Sequence, residues 1–400
     1  MKPINIVYLH SHDTGRYIQP HGHAIPTPNL QRLAEEGVLF RQAFCANPTC
    51  SPSRAALLTG QWAHRCGMFG LVNRGWSLHH PERLLNHRLQ EAGYETVLAG
   101  VHHVVKNLEE SGWNRMLELK PTQPWGQTIH EAAAAFLDES HDRPFFLDVG
   151  FLETHRIGDA FSPLPDGWEP TDPRYVRPPA PFPDTPQLRQ DMANYIDSAR
   201  LLDERMGDVL EAIDRNGLRD NTLVICTTDH GTAFPRMKCN LTDQGIGVLL
   251  ILRAPGGCSG GKVVDGMVSH IDLFPTICEL IGIPVPAYAQ GLSVLPLIRR
   301  EVSHLREEVF AEVNYHGSYD PQRAVRTQRW KYIRRFDERR TPVLTNCDDS
   351  ITKTYLVEHG WKTANLSRER LYDLLFDPCE TNNLAEDDQY AGMLDEMRTR

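Results

Sequence analysis

A chain of 400 residues is long enough to bury a substantial core, and it suits one large α/β domain with a smaller appendage. Its hydrophobic fraction of 40% and charged fraction of 24% are typical of a globular protein. The formal net charge of -10 argues against a protein that binds nucleic acid in general, although a few local cations can still bind a small anion.

The sequence shows neither a signal peptide nor a membrane-spanning stretch. The first residues run directly into an apolar segment at residues 4–9, without the apolar core and small-residue cleavage site of a leader. No later stretch approaches the roughly 20 apolar residues that a bilayer requires. The nine cysteines are scattered and form no CxxC pair, so no disulfide framework is indicated. We therefore expect a cytoplasmic protein with no membrane partner, unless a leader has already been removed.

Apolar, β-rich runs alternate with helical patterns through the first three quarters of the chain. A helix is predicted to begin at Pro28 with Thr27 as its cap, and another directly after Cys50. The strongest amphipathic pattern follows at Tyr195, Ala199, Leu202, Met206, Val209 and Ile213. Several predicted strands are apolar on both faces, which is typical of parallel strands covered by helices. The predicted strands are residues 4–9, 38–40, 96–98, 144–149, 222–227 and 248–252.

The pattern changes after about residue 300. Residues 309–313, 324–327 and 330–335 are predicted to form antiparallel strands, and a helix is predicted near Asp388. The expected organisation is a catalytic α/β domain over residues 1–300 and an α+β subdomain over residues 301–400, whose last helix is expected to continue past Arg400. The segment 156–190, rich in Pro and Asp, is predicted to be a long surface excursion.

Cys50 lies in a Pro-rich turn at the predicted start of a helix. A helix N-terminus favours an anion, because its free N–H groups and its dipole point outward from the first turn. Arg54 adds a cation on the same turn. A lone cysteine here would more often be a buried inert thiol, whereas Cys50 with Arg54 indicates an anion site that holds a possible nucleophile.

Residues 50–60, CSPSRAALLTG, closely resemble the signature C-x-P-S-R-x-x-x-L-T-G of the type I sulfatases. The resemblance extends to the first predicted helix and to the C-terminal segments at 371–373 and 383–385. Residues 66–71 and 143–147 are most similar to the heparan N-sulfatase (sulfamidase) branch. The resemblance implies an alkaline-phosphatase-like fold, in which helices flank a mixed, mostly parallel sheet and a smaller α+β subdomain carries an antiparallel sheet.

The resemblance also implies the chemistry of the nucleophile. In this family a maturase binds transiently and oxidises the cysteine, here Cys50, to formylglycine. The hydrated aldehyde carries two hydroxyls. One attacks sulfur and displaces an alcohol or an amine; the other then loses its proton, so that the aldehyde re-forms as sulfate leaves. One hard divalent cation, usually calcium, positions the sulfate and the diol.

Two strand ends are expected to hold this cation together with Cys50. The first predicted strand is followed by His12 and Asp13, where the family usually has two aspartates. A later strand is followed by Asp229 and His230, where the family usually has Asp-Asn. All five residues are predicted metal ligands at the carboxyl edge of the sheet. Two imidazoles make the site softer, so manganese or even zinc competes with calcium, and His12 could instead cap its strand end.

Three further residues match positions at which the family contacts the sulfate or the leaving group. Lys238 lies just beyond the second metal segment, His155 follows a predicted strand, and His103 keeps the histidine of a G-K-x-H segment. His103 or His155 suits the role of general acid, because a histidine titrates at about pH 6.5. The predicted catalytic residues are Cys50, Arg54, His103, His155 and Lys238.

Val101 departs from the family pattern, because a lysine usually stands there and orients the diol. Either His102 or Lys106 substitutes for it, or the site is electrostatically weaker than in typical members. His64 and Arg74 could line the pocket, but no role is assigned to them.

The leading hypothesis is hydrolysis of a sulfate ester or sulfamate on a small sulfated carbohydrate, for which the sulfamidase-like segments indicate an N-sulfated hexosamine. A second hypothesis is a phosphonate monoester hydrolase or phosphodiesterase, since related enzymes carry Asp-His at residues 229–230. A two-metal phosphatase is disfavoured, because the long helix has no D-x-x-x-H motif. The third hypothesis is a catalytically silent binding protein.

Overall fold

The computed structural model describes residues 4–120, 128–255 and 257–400. Its first eleven strands are β1 (Asn5–Ser11), β2 (Val38–Phe40), β3 (Ala43–Phe44), β4 (Glu95–Gly100), β5 (Arg115–Met116), β6 (Phe145–Gly150), β7 (Thr222–Thr228), β8 (Gly247–Val248), β9 (Leu250–Arg253), β10 (Lys262–Val264) and β11 (Val268–Ser269). An eight-stranded sheet has the order β10-β2-β9-β7-β1-β6-β4-β5, and β11-β3-β8 form a small second sheet.

The central strand β1 pairs in parallel with β6 on one side and with β7 on the other. All residues of these three strands are buried, as expected for parallel strands with helices on both faces. The strand β9 runs antiparallel to both β7 and β2, so the sheet is mixed but mostly parallel. The predicted fold class is therefore confirmed.

Nine helices among the described residues accompany these two sheets: α1 (Pro28–Glu36), α2 (Cys50–Thr59), α3 (Ala63–Cys66), α4 (Leu85–Glu91), α5 (Ile129–Leu137), α6 (Pro186–Arg215), α7 (Asp243–Ile246), α8 (Leu273–Ile281) and α9 (Leu295–Ile298). Alternate residues of β1 enter two separate cores, because successive side chains of a strand point to opposite faces. Ile6 and Tyr8 join the core of α2, α4 and α8, whereas Val7 and Leu9 join that of α1, α5 and α6.

Most predicted elements agree with the structure in place and type and differ in their ends, but the strand predicted over residues 248–252 is two strands, β8 and β9, in different sheets. The helix predicted after Cys50 begins at Cys50 itself. Thr27 stands at the N-cap of α1, but its hydroxyl makes no capping bond and accepts the N–H of Gln19 instead. The helix α6 begins at Pro186, so residues 186–190 belong to it and the predicted excursion is shorter. None of the described helices is both long and apolar enough to cross a bilayer.

The antiparallel sheet predicted after residue 300 is present. Its four strands follow one another in the order β12 (Glu308–Tyr315), β13 (Tyr319–Thr327), β14 (Trp330–Arg335) and β15 (Glu369–Asp373). Two helices accompany it, α10 (Ile351–Glu358) and α11 (Ala391–Thr399). Neither β15 nor α10 was predicted from the sequence, because β15 lies more than thirty residues beyond its partner β14 and α10 has little amphipathic pattern.

A buried lysine joins this C-terminal sheet to α7. Lys331 in β14 is completely buried, and its Nζ lies 2.5 Å from Asp243 and 3.1 Å from Glu380. Arg326 in β13 also pairs with Asp243, at 3.2 Å. Burial alone would raise the pKa of Asp243, but Lys331 and Arg326 hold it well below its usual value. Since each buried charge has a partner, this network of ion pairs connects the C-terminal sheet to α7.

We expect Lys331→Ala to lower the free energy of unfolding by about 3 kcal/mol, because Asp243 and Glu380 would lose their shared buried cation. Denaturant unfolding measures this loss. Arg174→Ala is a matched control, since Arg174 pairs with Asp172 on the surface with 78% of its side chain exposed. The control should leave unfolding unchanged within error. Equal stability of the two variants would contradict the prediction.

Candidate active site

Cys50 is the first residue of α2, a helix whose ten residues are all buried. The preceding Thr49 is extended, so the helix starts abruptly and the N–H groups of its first turn have no partner within the helix. The Sγ atom of Cys50 lies 3.5 Å from Nε2 of His230. The nucleophile predicted from the sequence therefore stands at a buried helix N-terminus, which favours an anion.

The ends of β1 and β7 bring two polar pairs together. Ser11 pairs with Thr228 at the last position of the parallel ladder, so the residues that follow each strand are neighbours. One carboxylate oxygen of Asp229 accepts the backbone N–H groups of Asp13 and His230, both at 2.9 Å. Asp13 adopts a left-handed backbone conformation with φ of 54°. Such a conformation is costly for a non-glycine residue and is often found at functional sites.

Four buried residues, His12, Asp13, Cys50 and Asp229, offer one ligand atom each, all within 4.8 Å of one another. Within the described part of the chain, Oδ1 of Asp13 accepts no hydrogen bond, so this buried oxygen retains a lone pair for a metal ion. Two carboxylates and a neutral imidazole, with Sγ in the place of a formylglycine oxygen, fit one divalent cation. His230 borders this set, with Nε2 3.2 Å from Oδ1 of Asp13.

The buried ionisable groups of this cluster shift one another's pKa values. Burial alone would raise the pKa of Asp13 and of Asp229, but nearby cations, above all Lys238 and His230, hold both well below the usual range. Burial lowers the pKa of His12, so its ring is neutral, as a metal ligand requires. Burial would also lower the pKa of His230, yet Asp229 and Asp13 raise it to about 9.

The predicted catalytic cations lie around the same cluster. The Nζ atom of Lys238 lies 2.8 Å from Oδ2 of Asp13, and Nδ1 of His155 lies 2.7 Å from the same oxygen. Arg54 reaches Oδ2 of Asp229 at 3.1 Å. His103 is farther away, with its ring centroid 6.2 Å from that of His12. The structure thus brings together every predicted site residue, while their individual roles stay predictions.

Neither residue considered as a substitute at Val101 supplies a buried cation. His102 is buried with its ring edge-on to Trp113, and neither of its ring nitrogens has a hydrogen-bond partner in the described ranges. Burial lowers the pKa of His102 to about 4, so the ring is neutral. Lys106 is exposed. His64, which had no role assigned from the sequence, pairs with Glu312 at 2.7 Å.

Two residues that the sequence analysis did not single out orient Arg54. His10 accepts a hydrogen bond from Arg54 through Nδ1, and its Nε2–H donates to Asp148 at 2.7 Å. Burial lowers the pKa of His10 well below its usual value, which agrees with a neutral ring that carries its proton on Nε2. Asp148 is the residue that could have revealed this arrangement from the sequence, since an acidic residue inside the apolar strand β6 requires a buried partner.

The mixed sheet, with a buried cysteine and side chains that could hold a metal ion at the carboxyl ends of its central strands, is the sulfatase fold. A solved 2-O GAG sulfatase superposes with a TM-score of 0.75 at 24% identity, covering 100% of this chain and 91% of that one. A structure from work on glycosaminoglycan metabolism by Bacteroides thetaiotaomicron gives a TM-score of 0.77 at 20% identity, covering 100% and 96%.

The family model described as Sulfatase matches residues 4–283, and the one described as N-sulphoglucosamine sulphohydrolase, C-terminal, matches residues 237–350. The chain is 32% identical to human N-sulphoglucosamine sulphohydrolase over 94% of this chain and 84% of the human protein. It is 29% identical to an ulvan-active sulfatase of Formosa agariphila over 99% and 78% of the two chains. The chain therefore belongs to the sulfatase family, the sulfuric ester hydrolases, and resembles the N-sulphoglucosamine sulphohydrolases within it.

The raised pKa of His230 predicts a pH dependence for the metal-free protein. A group whose pKa rises from about 6.5 in the unfolded chain to about 9 in the folded one stabilises the fold most below pH 6.5. That stabilisation is lost as the pH rises through 9. Relative to His230→Asn, the wild type should therefore lose stability between these two pH values. Thermal unfolding in a chelator measures the difference, and a gap that does not change with pH would refute it.

Proposed function

We propose that this protein hydrolyses a sulfate ester or sulfamate on a sugar, with a formylglycine made from Cys50 and one divalent cation. The observation that carries the proposal is the position of Cys50 Sγ at the start of α2, within 4.8 Å of ligand atoms from His12, Asp13 and Asp229. A sugar substrate is supported by the relatives, which include an N-sulphoglucosamine sulphohydrolase and ulvan-active sulfatases.

His12, Asp13, Asp229 and side chain 50 would hold the cation, with His230 beside them. Calcium suits the two carboxylates. Manganese competes with calcium for this site, because it also binds the imidazole of His12 well. When bound, the cation supplies positive charge to the sulfate oxygens and to the diol.

The nucleophile is made before catalysis: a maturase, with an external two-electron oxidant, oxidises the side chain of Cys50 to the aldehyde and releases its sulfur as hydrogen sulfide. Water then adds to the aldehyde to give the diol, and the remaining steps involve the chain's own residues. One hydroxyl attacks sulfur and displaces the alcohol or amine of the sugar, while the second later releases its proton as sulfate leaves. Lys238 and Arg54 bind the sulfate oxygens, where negative charge accumulates.

His155 is the proposed general acid for the leaving group. Burial lowers the pKa of His103 to about 4, so its ring is neutral at neutral pH and is a poor general acid. His155 is 28% exposed, so it can reach a leaving group, and its Nδ1 lies 2.7 Å from Oδ2 of Asp13, which orients the ring.

Formation of formylglycine predicts a mass change at Cys50. Protein co-expressed with a maturase should yield a peptide around residue 50 that is lighter by the difference between a thiol and an aldehyde, as measured by mass spectrometry. Cys50→Ala should have no turnover under the same conditions, because no nucleophile remains. Cys278→Ala is a matched control, since Cys278 is buried in the core within α8 and outside the predicted site. An unmodified peptide in an active enzyme would exclude this nucleophile.

His230 favours one rival activity, the hydrolysis of phosphonate monoesters or phosphate diesters with the same nucleophile. Parallel assays on an aryl sulfate and an aryl phosphonate ester separate the two. We expect a higher kcat/KM for the sulfate, with activity lost in a chelator and restored by calcium or manganese. A large preference for the phosphorus ester would overturn the proposed sulfatase reaction in favour of the rival.

A further inference from the structure

A carboxylate from the C-terminal part of the chain reaches the predicted active site. Asp348 precedes α10, and its Oδ2 accepts a hydrogen bond from Nζ of Lys238 at 2.8 Å. Its ligand oxygen also lies within 4.8 Å of Nδ1 or Nε2 of His155. The side chain of Asp348 is 19% exposed, compared with 2% for that of Lys238. Asp348 is therefore more accessible to solvent than the buried lysine that it contacts.

A histidine from the same part of the chain lies close by. His316 occupies the turn between β12 and β13, and Lys238 and Asp348 are among the charges that act on it. Its Nδ1 atom is buried and has no hydrogen-bond partner within the described ranges. The C-terminal part thus contributes an acidic and an imidazole side chain near Lys238, and we call these two side chains the C-terminal wall of the site.

The loop that carries Asp348 is held rigidly. The side chain of Asn346 accepts the N–H of Ser318 at 2.7 Å and donates to its carbonyl at 3.2 Å, which locks the loop to the turn of His316. Gly317 permits this contact, since a Cβ there would lie 2.2 Å from the carbonyl oxygen of Thr345. The N–H of Thr352 donates to Asp191 of α6 at 3.1 Å, which anchors the start of α10.

A rigid, partly exposed carboxylate beside a sulfate-binding lysine has a defined preference for ligands. A carboxylate only accepts hydrogen bonds, so it binds hydroxyl or ammonium groups and repels further anions. Because Lys238, Arg54 and Asp13 occupy the buried end of the site, the group that Asp348 meets must belong to the part of the substrate that leaves. A carboxylate that is already fixed in place there loses little conformational entropy when the substrate binds.

We propose that Asp348 determines specificity by accepting a hydrogen bond from a sugar hydroxyl or amine next to the sulfated position. This inference rests on the proposed function. It assigns to the enzyme a substrate whose neighbouring position is unsulfated, since a second sulfate there would face the carboxylate. His316 lies beside this contact and forms part of the same wall.

The test compares Asp348→Asn with the matched control Asp349→Asn. Asp349 carries the same side chain one residue later, but it is 80% exposed and pairs with Lys353 within the first turn of α10. The substrates are glucosamine N-sulfate, which has a neighbouring hydroxyl, and p-nitrophenyl sulfate, which has none. The ratio of the two kcat/KM values should fall about 10- to 100-fold in Asp348→Asn and stay constant in Asp349→Asn.

An unchanged ratio would overturn the proposal, because it would mean that Asp348 acts through Lys238 on both substrates alike. Binding gives a second measurement that does not depend on turnover. By calorimetry, Asp348→Asn should weaken the binding of glucosamine about tenfold or more relative to that of inorganic sulfate. Absence of that selective loss would also overturn the proposal. Failure of the proposed function shows separately, as a wild type that turns over neither sulfate.

Discussion

The buried carboxylate of Asp229 is the group on which the site depends. Its side chain is completely buried, and it accepts two backbone N–H groups, one after β1 and one after β7. Arg54 of α2 and Nδ1 of His12 lie within 3.1 Å of its other oxygen. A buried anion without such partners would cost several kcal/mol, so the two strands and the helix must meet here for the chain to fold. The geometry that stabilises the carboxylate is also the geometry that places Cys50.

The position of Arg54 in turn depends on buried hydrogen bonds to residues of β1. A guanidinium held by Asp229 alone could swing, but Arg54 also donates to Nδ1 of the neutral His10 and to the carbonyl of Ser11. His10 is oriented by Asp148, whose pKa burial raises to about 7. This chain of contacts runs across β1 and β6 and holds Arg54 through side chains that are all buried.

Two of the three departures from the family pattern offset each other in charge. The resemblance expects an aspartate at residue 12 and a lysine at residue 101, and both positions are uncharged here, because burial keeps His12 neutral. One anion and one cation are therefore missing from the same edge of the sheet. The third departure, His230 in place of an asparagine, adds a cation to the metal-free site, because Asp229 and Asp13 raise its pKa to about 9.

The sequence by itself determined the family, the mixed α/β fold and the residues at the strand ends and the helix N-terminus. Those features are local: a strand followed by polar residues and a cysteine signature before a helix are visible within ten residues of chain. Tertiary structure alone decided that His102 is buried and neutral, that His10 and Asp148 orient Arg54, and that Asp348 reaches Lys238. These contacts join residues between 44 and 138 positions apart, so they depend on how the elements pack and leave no pattern in any short segment.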